Sequence, residues 1–354
     1  WGQAFVSVQE ALDAATAGEQ VWVAEGTYRA ASAGSPVAEF VVGVSMYGGF
    51  LGTEDSVASR GGAAYNTVLS GDQLGDDETM GGSSSDNSLR VVSISAVNDV
   101  TVDGFRITRG YLDAGWPNNM GSGLRAGGGS DNFTLRNLFI HDNHAIGANS
   151  FAALGFHGAG SGLVEDVYVY ENTTLDETPT IYKNGTGNLT ILHSAFWGND
   201  HQDNGGSSQQ VMAYGSGEVT VAFASFYNNT TRLFGGSSTI IASHIAEWSP
   251  DAVGGTGGAN IDLLCSDSAY TATNSLVLDE STSELGNPFT LGPDGRPYLM
   301  QTAAGDAYTS ACVDAGDPMD AADFDPQYAM RSTASNAAPD AGNSDFGVHY
   351  VVSN

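Results

Sequence analysis

The sequence predicts an all-β solenoid, a single-stranded right-handed parallel β-helix with an N-terminal helical cap. Three observations predict it. First, a short pattern recurs from Val100 to Leu278: residues around a threonine, a gap, then a hydrophobic pair. It reads Val100-Thr101-Val102 … Phe105-Arg106-Ile107, then Phe133-Thr134-Leu135 … Leu138-Phe139-Ile140, with a frayed last copy at Tyr270-Thr271. Marker positions 101, 134, 163, 190, 220, 239 and 271 step by 33, 29, 27, 30, 19 and 32 residues, so one copy makes one coil. Second, asparagine follows each hydrophobic pair at a fixed distance, at Asn143, Asn172, Asn199 and Asn229. Equivalent residues of successive coils lie about 4.8 Å apart. These amides should therefore stack and hydrogen-bond from coil to coil. Third, each coil closes with a further short strand and a Gly-rich turn, as in Ala152 to His157 before Gly158 and Val211 to Tyr214 before Gly215. Three strands per coil separated by glycines outline a three-sided helix.

The elements follow in order. Residues 1–30 form the N-terminal cap. Within them, residues 5–16 read as an amphipathic helix capped by Ser7, with Phe5, Val8, Leu12 and Ala15 on one face. A strand, Gln20 to Ala24, comes next. The helix would plug the solenoid end, which otherwise exposes core and strand edges. Residues 31–280 hold the coils, roughly ten in all. Two polar stretches, 73–89 and 111–122, read as loops. Beyond 281 the period fades, and 281–354 should be irregular, lying along the helix or capping it. The whole is read as a single domain.

Composition narrows the function classes. The chain has 354 residues, 47 of them Gly, and a formal net charge of −30. That charge argues against nucleic acid and against an anionic membrane surface as partners. No segment approaches the length of apolar sequence that spans a bilayer, so no membrane insertion is expected. The first residue is Trp1, consistent with a removed secretion signal or a trimmed chain. The two cysteines, Cys265 and Cys312, could bond in a secreted protein or remain as buried thiols.

Further stretches carry a resemblance. "SVQEALDAATAGEQVWVAEGTY", "VVGVSMYGGFLGTE" and "TVLSGD" resemble the N-terminal part of secreted bacterial proteins of the pectate-lyase-like right-handed β-helix superfamily. "SACVDAGDP", "DFDPQYAMR" and "PDAGNSDFGVHY" resemble the C-terminal block of a bacterial surface-protein group within it. The resemblance implies the fold, a secreted or cell-surface location in a bacterium, and a polysaccharide as partner. It does not choose an activity, because the superfamily holds lyases, hydrolases, epimerases and adhesins. The Asp-His and arginine-pair motifs of pectate lyases are absent. So are the paired aspartates with Gly-His-Gly of polygalacturonases and the Asp-Pro-His-Asp of mannuronan epimerases.

The resemblance also implies a cleft along the strand before the Gly-rich turn. Aligned on their glycines, these strands place Arg125, His157, Lys183 and Tyr214 in one outward column, although at Lys183 a one-residue shift would put Tyr182 outward instead. β-Elimination on a uronate needs these residue types. Lys183, the only lysine, would be the base; Arg125 would hold the carboxylate; His157 or Tyr214 would protonate the leaving oxygen. The bland alternative is that Lys183 and Arg125 only offset surface charge. A second column, His141, Tyr170, Trp197 and Tyr227, offers aromatic rings for sugar stacking or for packing beneath neighbouring loops, and Trp116 sits in a loop nearby. Asp200 and Asp203 could hold calcium, without the spacing of an EF-hand loop. His141, His144 and His157 match no standard zinc site. Asp103, Arg136 and Glu165 or Asp166 fall near one column and read as a structural salt-bridge ladder.

The expected function is thus a secreted polysaccharide lyase acting on a uronate-containing glycan, as a monomer, with calcium the one cofactor in view. The alternatives are a glycoside hydrolase using Asp176, Glu177, Asp200 and Asp203, and a non-catalytic glycan-binding adhesin.

Overall fold

The computed structural model is a right-handed parallel β-helix. It describes residues 1–63, 66–77, 84–114, 119–128, 130–147, 152–158, 160–175, 178–202, 209–249, 259–262, 264–266, 276–277, 287–315, 331–336, 338, 344–348 and 350–351.

Each repeat copy forms strand because β-branched and aromatic residues alternate with small or polar ones. The strands Thr101–Thr108, Phe133–His141, Gly162–Tyr170, Val219–Tyr227 and Ile240–Trp248 stack in parallel as the long sheet, together with the shorter Leu189–Leu192 and Ala195–Trp197. Thr101, Thr134, Leu163, Thr190 and Thr220 lie opposite one another, so the repeat and the register coincide for these five; the next partner is Ile241, two residues beyond the expected marker at 239, because that copy enters its strand later. A second, short sheet joins Tyr111–Leu112, His144–Ala145, Thr173–Leu175 and Asp200–Gln202. A third sheet stacks Ala38–Phe40, Val92–Ser95, Leu124–Gly127, Leu154–His157, Ile181–Asn184, Gln209–Tyr214 and Arg232–Gly236. The core is the space these three enclose. Its apolar columns include Val102–Leu135–Val164–Ile191–Val221 and Leu124–Leu154–Ile181–Val211–Phe234, all fully buried.

The corner between the long and short sheets holds the asparagines. Asn143 Nδ2 donates to Asn172 Oδ1 at 3.1 Å, Asn172 Nδ2 to Asn199 Oδ1 at 3.1 Å, and Asn199 Nδ2 to Asn229 Oδ1 at 3.1 Å. Each backbone N–H donates to the same next oxygen, at 3.0, 3.2 and 3.1 Å. The amides also donate to carbonyls of the preceding coil, at Ile107, Ile140, Val169 and Phe196. Directly before this column stand Arg109, Asp142, Glu171, Gly198 and Asn228, all with positive φ. The left-handed residue makes the corner sharp, and the asparagine satisfies the backbone groups that the corner strands.

The cap differs in detail from the sequence reading. The helix is Val8–Ala14, shorter than residues 5–16, with Ser7 Oγ accepting from the Glu10 N–H at 3.1 Å. Val8 and Leu12 are buried, but Phe5 precedes the cap and stays exposed. A capping serine fixes where helical φ/ψ begins, so residues before it cannot share the helix face.

The C-terminal segment lies along the outer face of the long sheet. Val348 N donates to Ser225 Oγ at 3.0 Å and Gly347 N to the His244 carbonyl at 2.7 Å. Tyr298 and Tyr350 pack on Tyr168 and Ala195, with the Arg296 guanidinium 4.5 Å from the Tyr350 ring centroid. Cys265 and Cys312 form a disulfide that ties this segment to a late coil. Among the described residues, no helix is long and apolar enough to cross a membrane.

The ladder carries a stability prediction. Asn172→Ala leaves donors on Asn143 and carbonyls on Ile140 and Tyr170 without their partner. Each abandoned buried group costs about 1–3 kcal/mol, so the variant should lose about 2–4 kcal/mol in urea unfolding. A change within about 0.5 kcal/mol, the ordinary range of a surface substitution, would refute a stabilising role for the ladder.

Candidate functional site

The third sheet presents one face to the core and one outward. Leu124, Leu154, Ile181 and Val211 point in and are fully buried. The next column, Ser93–Arg125–Gly155–Tyr182–Met212–Gly235, therefore points out. The next, Ala126–Phe156–Lys183–Ala213, points in again and is buried. The last, His157–Asn184–Tyr214, points out at the turn.

Arg125, His157, Lys183 and Tyr214 therefore do not form one column. The glycine alignment is two residues out at Arg125, where Ala126 and Gly127 precede the turn. It is one residue out at Lys183, where Asn184 intervenes before Gly185. A two-residue slip preserves the face and a one-residue slip reverses it. Arg125 thus remains outward, whereas Lys183 is turned into the helix and only 3% exposed. The turn glycines that do stack are Gly158, Gly185 and Gly215, with φ of 136°, 144° and 99°. A side chain at Gly185 would run into the Gly158 carbonyl.

Lys183 is occupied where it lies. Its Nζ donates to the carbonyls of Gly185 at 2.9 Å and Gly217 at 3.0 Å, binding one turn to the next. Burial pushes its pKa down, the direction a base would need. Yet the crevice it lines with Phe156, His157 and Asn184 encloses about 10 Å³, room for about one water and no sugar. With its amine committed to two carbonyls, Lys183 is a structural donor, and a general base must be sought elsewhere.

What remains on the outer face is Arg125, Tyr182, His157, Asn184 and Tyr214. Arg125 is half-buried, and its Nε has no hydrogen-bond partner among the described residues. Burial pushes its pKa down, and no carboxylate pairs with it among the described residues. Arg90 lies near enough to feel its charge; burial first, then Arg125, push the Arg90 pKa down to about 10. Tyr182 packs with Met120, Ala152 and Met212, and its ring lies 6.0 Å from that of Tyr214. Tyr182 takes the outward place that the alternation Ile181, Lys183 leaves for it. That alternation was the signal in the sequence that could have placed Lys183 inside.

The aromatic column forms as expected: His141, Tyr170, Trp197 and Tyr227 are in register, and Trp248 extends it. The rings stack on one another, His141 on Tyr170 at 4.7 Å and Tyr170 on Trp197 at 4.4 Å, nearly parallel. Both faces of Tyr170 are therefore occupied by neighbours, as is one face each of His141 and Trp197. Tyr227 meets Phe289 of the C-terminal segment edge-on at 5.4 Å. Trp197, Tyr227 and Trp248 pack against residues of the C-terminal segment, the packing alternative of the sequence reading.

The carboxylates are mostly engaged. Asp103 bonds Arg60 at 3.2 Å and Arg136 at 3.0 Å, while Arg331 pairs with Glu165 at 3.2 Å and Asp166 at 2.6 Å, the expected salt-bridge column. At Asp142 burial acts to raise the pKa, but the His141 hydrogen bond and the charges of His141 and Arg109 hold it below the usual range. His201 is buried inside the coil among Thr180, Thr230 and Thr231, and burial pushes its pKa down to about 3, so it is neutral. Asp200 is half-buried beside Gln202. Trp116, Asp176, Glu177 and Asp203 lie outside the described residues, as does Tyr270-Thr271.

No protein-family model matches the sequence, and no curated protein matches it. Among solved structures, a pectin methylesterase from carrot is similar over 80% of this chain and 83% of its own, at 10% identity and a TM-score of 0.44. A pectin methylesterase in complex with hexasaccharide VII is similar over 84% and 96%, at 12% identity and a TM-score of 0.43. The rice weevil pectin methyl esterase covers 88% and 87%, at 13% identity and a TM-score of 0.32. At identities and TM-scores this low, these likenesses carry no argument about what this chain does.

The inward lysine is open to a direct check. With an amine-reactive acylating reagent, Lys183 should stay unmodified in the native protein and become modified in denaturant, read by peptide mass. Rapid native labelling would show that the amine reaches solvent and would restore it as a candidate base.

Proposed function

We propose that this protein binds a uronate-containing polysaccharide along the outer face of the third sheet and cleaves it there by β-elimination. The observation that carries this reading is Arg125. Five of the ten arginines, Arg60, Arg109, Arg136, Arg296 and Arg331, are ion-paired to carboxylates. In a chain of net charge −30, an arginine with no carboxylate partner among the described residues, half-buried and facing outward, is a costly arrangement unless an external anion completes it. A planar guanidinium takes a sugar carboxylate in two parallel hydrogen bonds.

The neighbours fit the rest of the reaction. Arg125 lies opposite Gly155, so His157 stands one coil on and two residues along, roughly 8 Å between Cα atoms. A uronate ring spans such a gap. With its carboxylate on Arg125, the proton on the adjacent carbon becomes more acidic, and His157 takes it. The bond to the leaving oxygen breaks, and Tyr214, exposed at the same column, returns a proton to that oxygen. Hydrolysis is the weaker reading, because it needs two carboxyls flanking the bond and this face carries no such pair among the described residues. The disulfide suits an oxidising compartment, as expected of a secreted or surface protein.

Arg125→Gln should weaken binding of an oligouronide by about 10- to 100-fold, the value of a charge-assisted contact of about 1.5–3 kcal/mol. Isothermal titration over an oligosaccharide panel measures this. His157→Ala should bind as the parent does but release no unsaturated product, followed by its ultraviolet absorbance. Arg125-dependent binding without any product from the parent protein identifies a binding module. Reducing ends without an unsaturated sugar identify a hydrolase. Unchanged affinity in Arg125→Gln removes the proposal.

A further inference from the structure

Between the strand Thr67–Ser70 and the strand Val92–Ser95, the described residues 71–77 and 84–91 carry a cluster of acids and no second-sheet strand. Asp72, Asp76 and Asp86 each bring a carboxylate oxygen within 4.8 Å of the other two. The loop itself sets them there. Asp72 Oδ1 accepts from the Gly75 N–H at 2.6 Å and the Asp76 N–H at 3.3 Å, and Asp86 Oδ2 accepts from Leu74 at 2.9 Å.

The second observation is on the other oxygens. Asp86 is only 8% exposed, and its Oδ1 has no hydrogen-bond partner among the described residues. Asp77 Oδ1 and Asn87 Oδ1, on residues 8% and 5% exposed, are in the same condition. Buried acceptors without donors, in a group of four aspartates, leave an unmet demand for positive charge. Arg29 is the nearby cation, and it donates to the Asp72 backbone carbonyl at 2.9 Å, not to a carboxylate. No ion pair serves the cluster among the described residues.

We propose that Asp72, Asp76 and Asp86 form a calcium site, with Asp77 and Asn87 as nearby oxygen donors. The donors are all oxygen, which favours a hard cation over zinc or copper. Oxygens within 4.8 Å of one another can share a calcium coordination sphere, about 5 Å across, and an irregular set of carboxylates suits calcium's flexible geometry better than the strict magnesium octahedron. Asp76 is exposed, so water reaches the site and completes it. The bound ion would fasten the loop to the following coil, where Asn87 Nδ2 already donates to the Arg109 carbonyl at 3.0 Å and Tyr111 N to the Ser88 carbonyl at 2.8 Å. This site is separate from Asp200 and from the Arg125 face, so its test is independent of the proposed activity.

The full chain, stripped with chelator, is titrated with calcium chloride by calorimetry and by thermal unfolding. One calcium should bind with Kd about 10⁻⁴ M, as extracellular modules do, and raise Tm by several degrees, while magnesium binds at least about tenfold more weakly. Asp76→Asn alters an exposed side chain and should keep the fold, checked by circular dichroism, while weakening calcium about tenfold or more. Asp86→Asn should do the same, and Asp200→Asn should bind as the parent does. No binding by the parent protein, unchanged binding in Asp76→Asn, or loss in Asp200→Asn instead would each overturn the site.

Discussion

Everything in this molecule depends on one coil placing its residues directly above those of the last. The asparagine column enforces this. Each amide both accepts from the preceding coil and donates to the following one, and it satisfies carbonyls at a corner made by left-handed residues. A coil slipped by one residue would lose all of these bonds together and reverse every side chain. The loops between strands can then vary in length without disturbing the register, as the spacing of the repeat shows.

Stacking like on like also decides what the surface can offer. Aromatic residues in one column stack on each other, as Tyr170 does between His141 and Trp197, and become part of the scaffold. Like charges in one column would repel, so Asp103, Arg136 and Glu165 alternate in sign. A charged group whose column neighbours carry no charge is left to be completed from elsewhere. Arg125 faces Ser93 on one side and Gly155 on the other. Neither carries charge, and the guanidinium remains directed at whatever lies outside the sheet.

The periodic features were legible in the sequence because periodicity records the register. The asparagine column, the aromatic column, the charge column and the enclosed apolar rows all follow from residues spaced one coil apart. The third sheet was less legible. Its strands are short and bounded by glycines whose distance from the strand varies, so the glycines do not mark equivalent positions. Hence alignment on the glycines puts Arg125 on the correct face and Lys183 on the wrong one. The apolar alternation through Ile181 was the better guide, because burial and not the turn fixes which side a residue takes. Phe5 was misassigned for a related reason: the cap at Ser7 starts the helix after it. The acidic loop carries no period at all. Its residues meet only through folding of the loop, from Asp72 to Asp86, and no spacing rule joins them.

The C-terminal segment has a mechanical consequence. Val348 is bonded to Ser225, and Arg331 to Asp166, coils well inside the solenoid, while Cys312 is bonded to a later one. Tension applied through the chain beyond Val351 does not peel the last coil away from its neighbour. It meets first the bonds of this segment to Ser225 and Asp166, so the end of the chain is anchored to coils inside the stack as well as to its last turn.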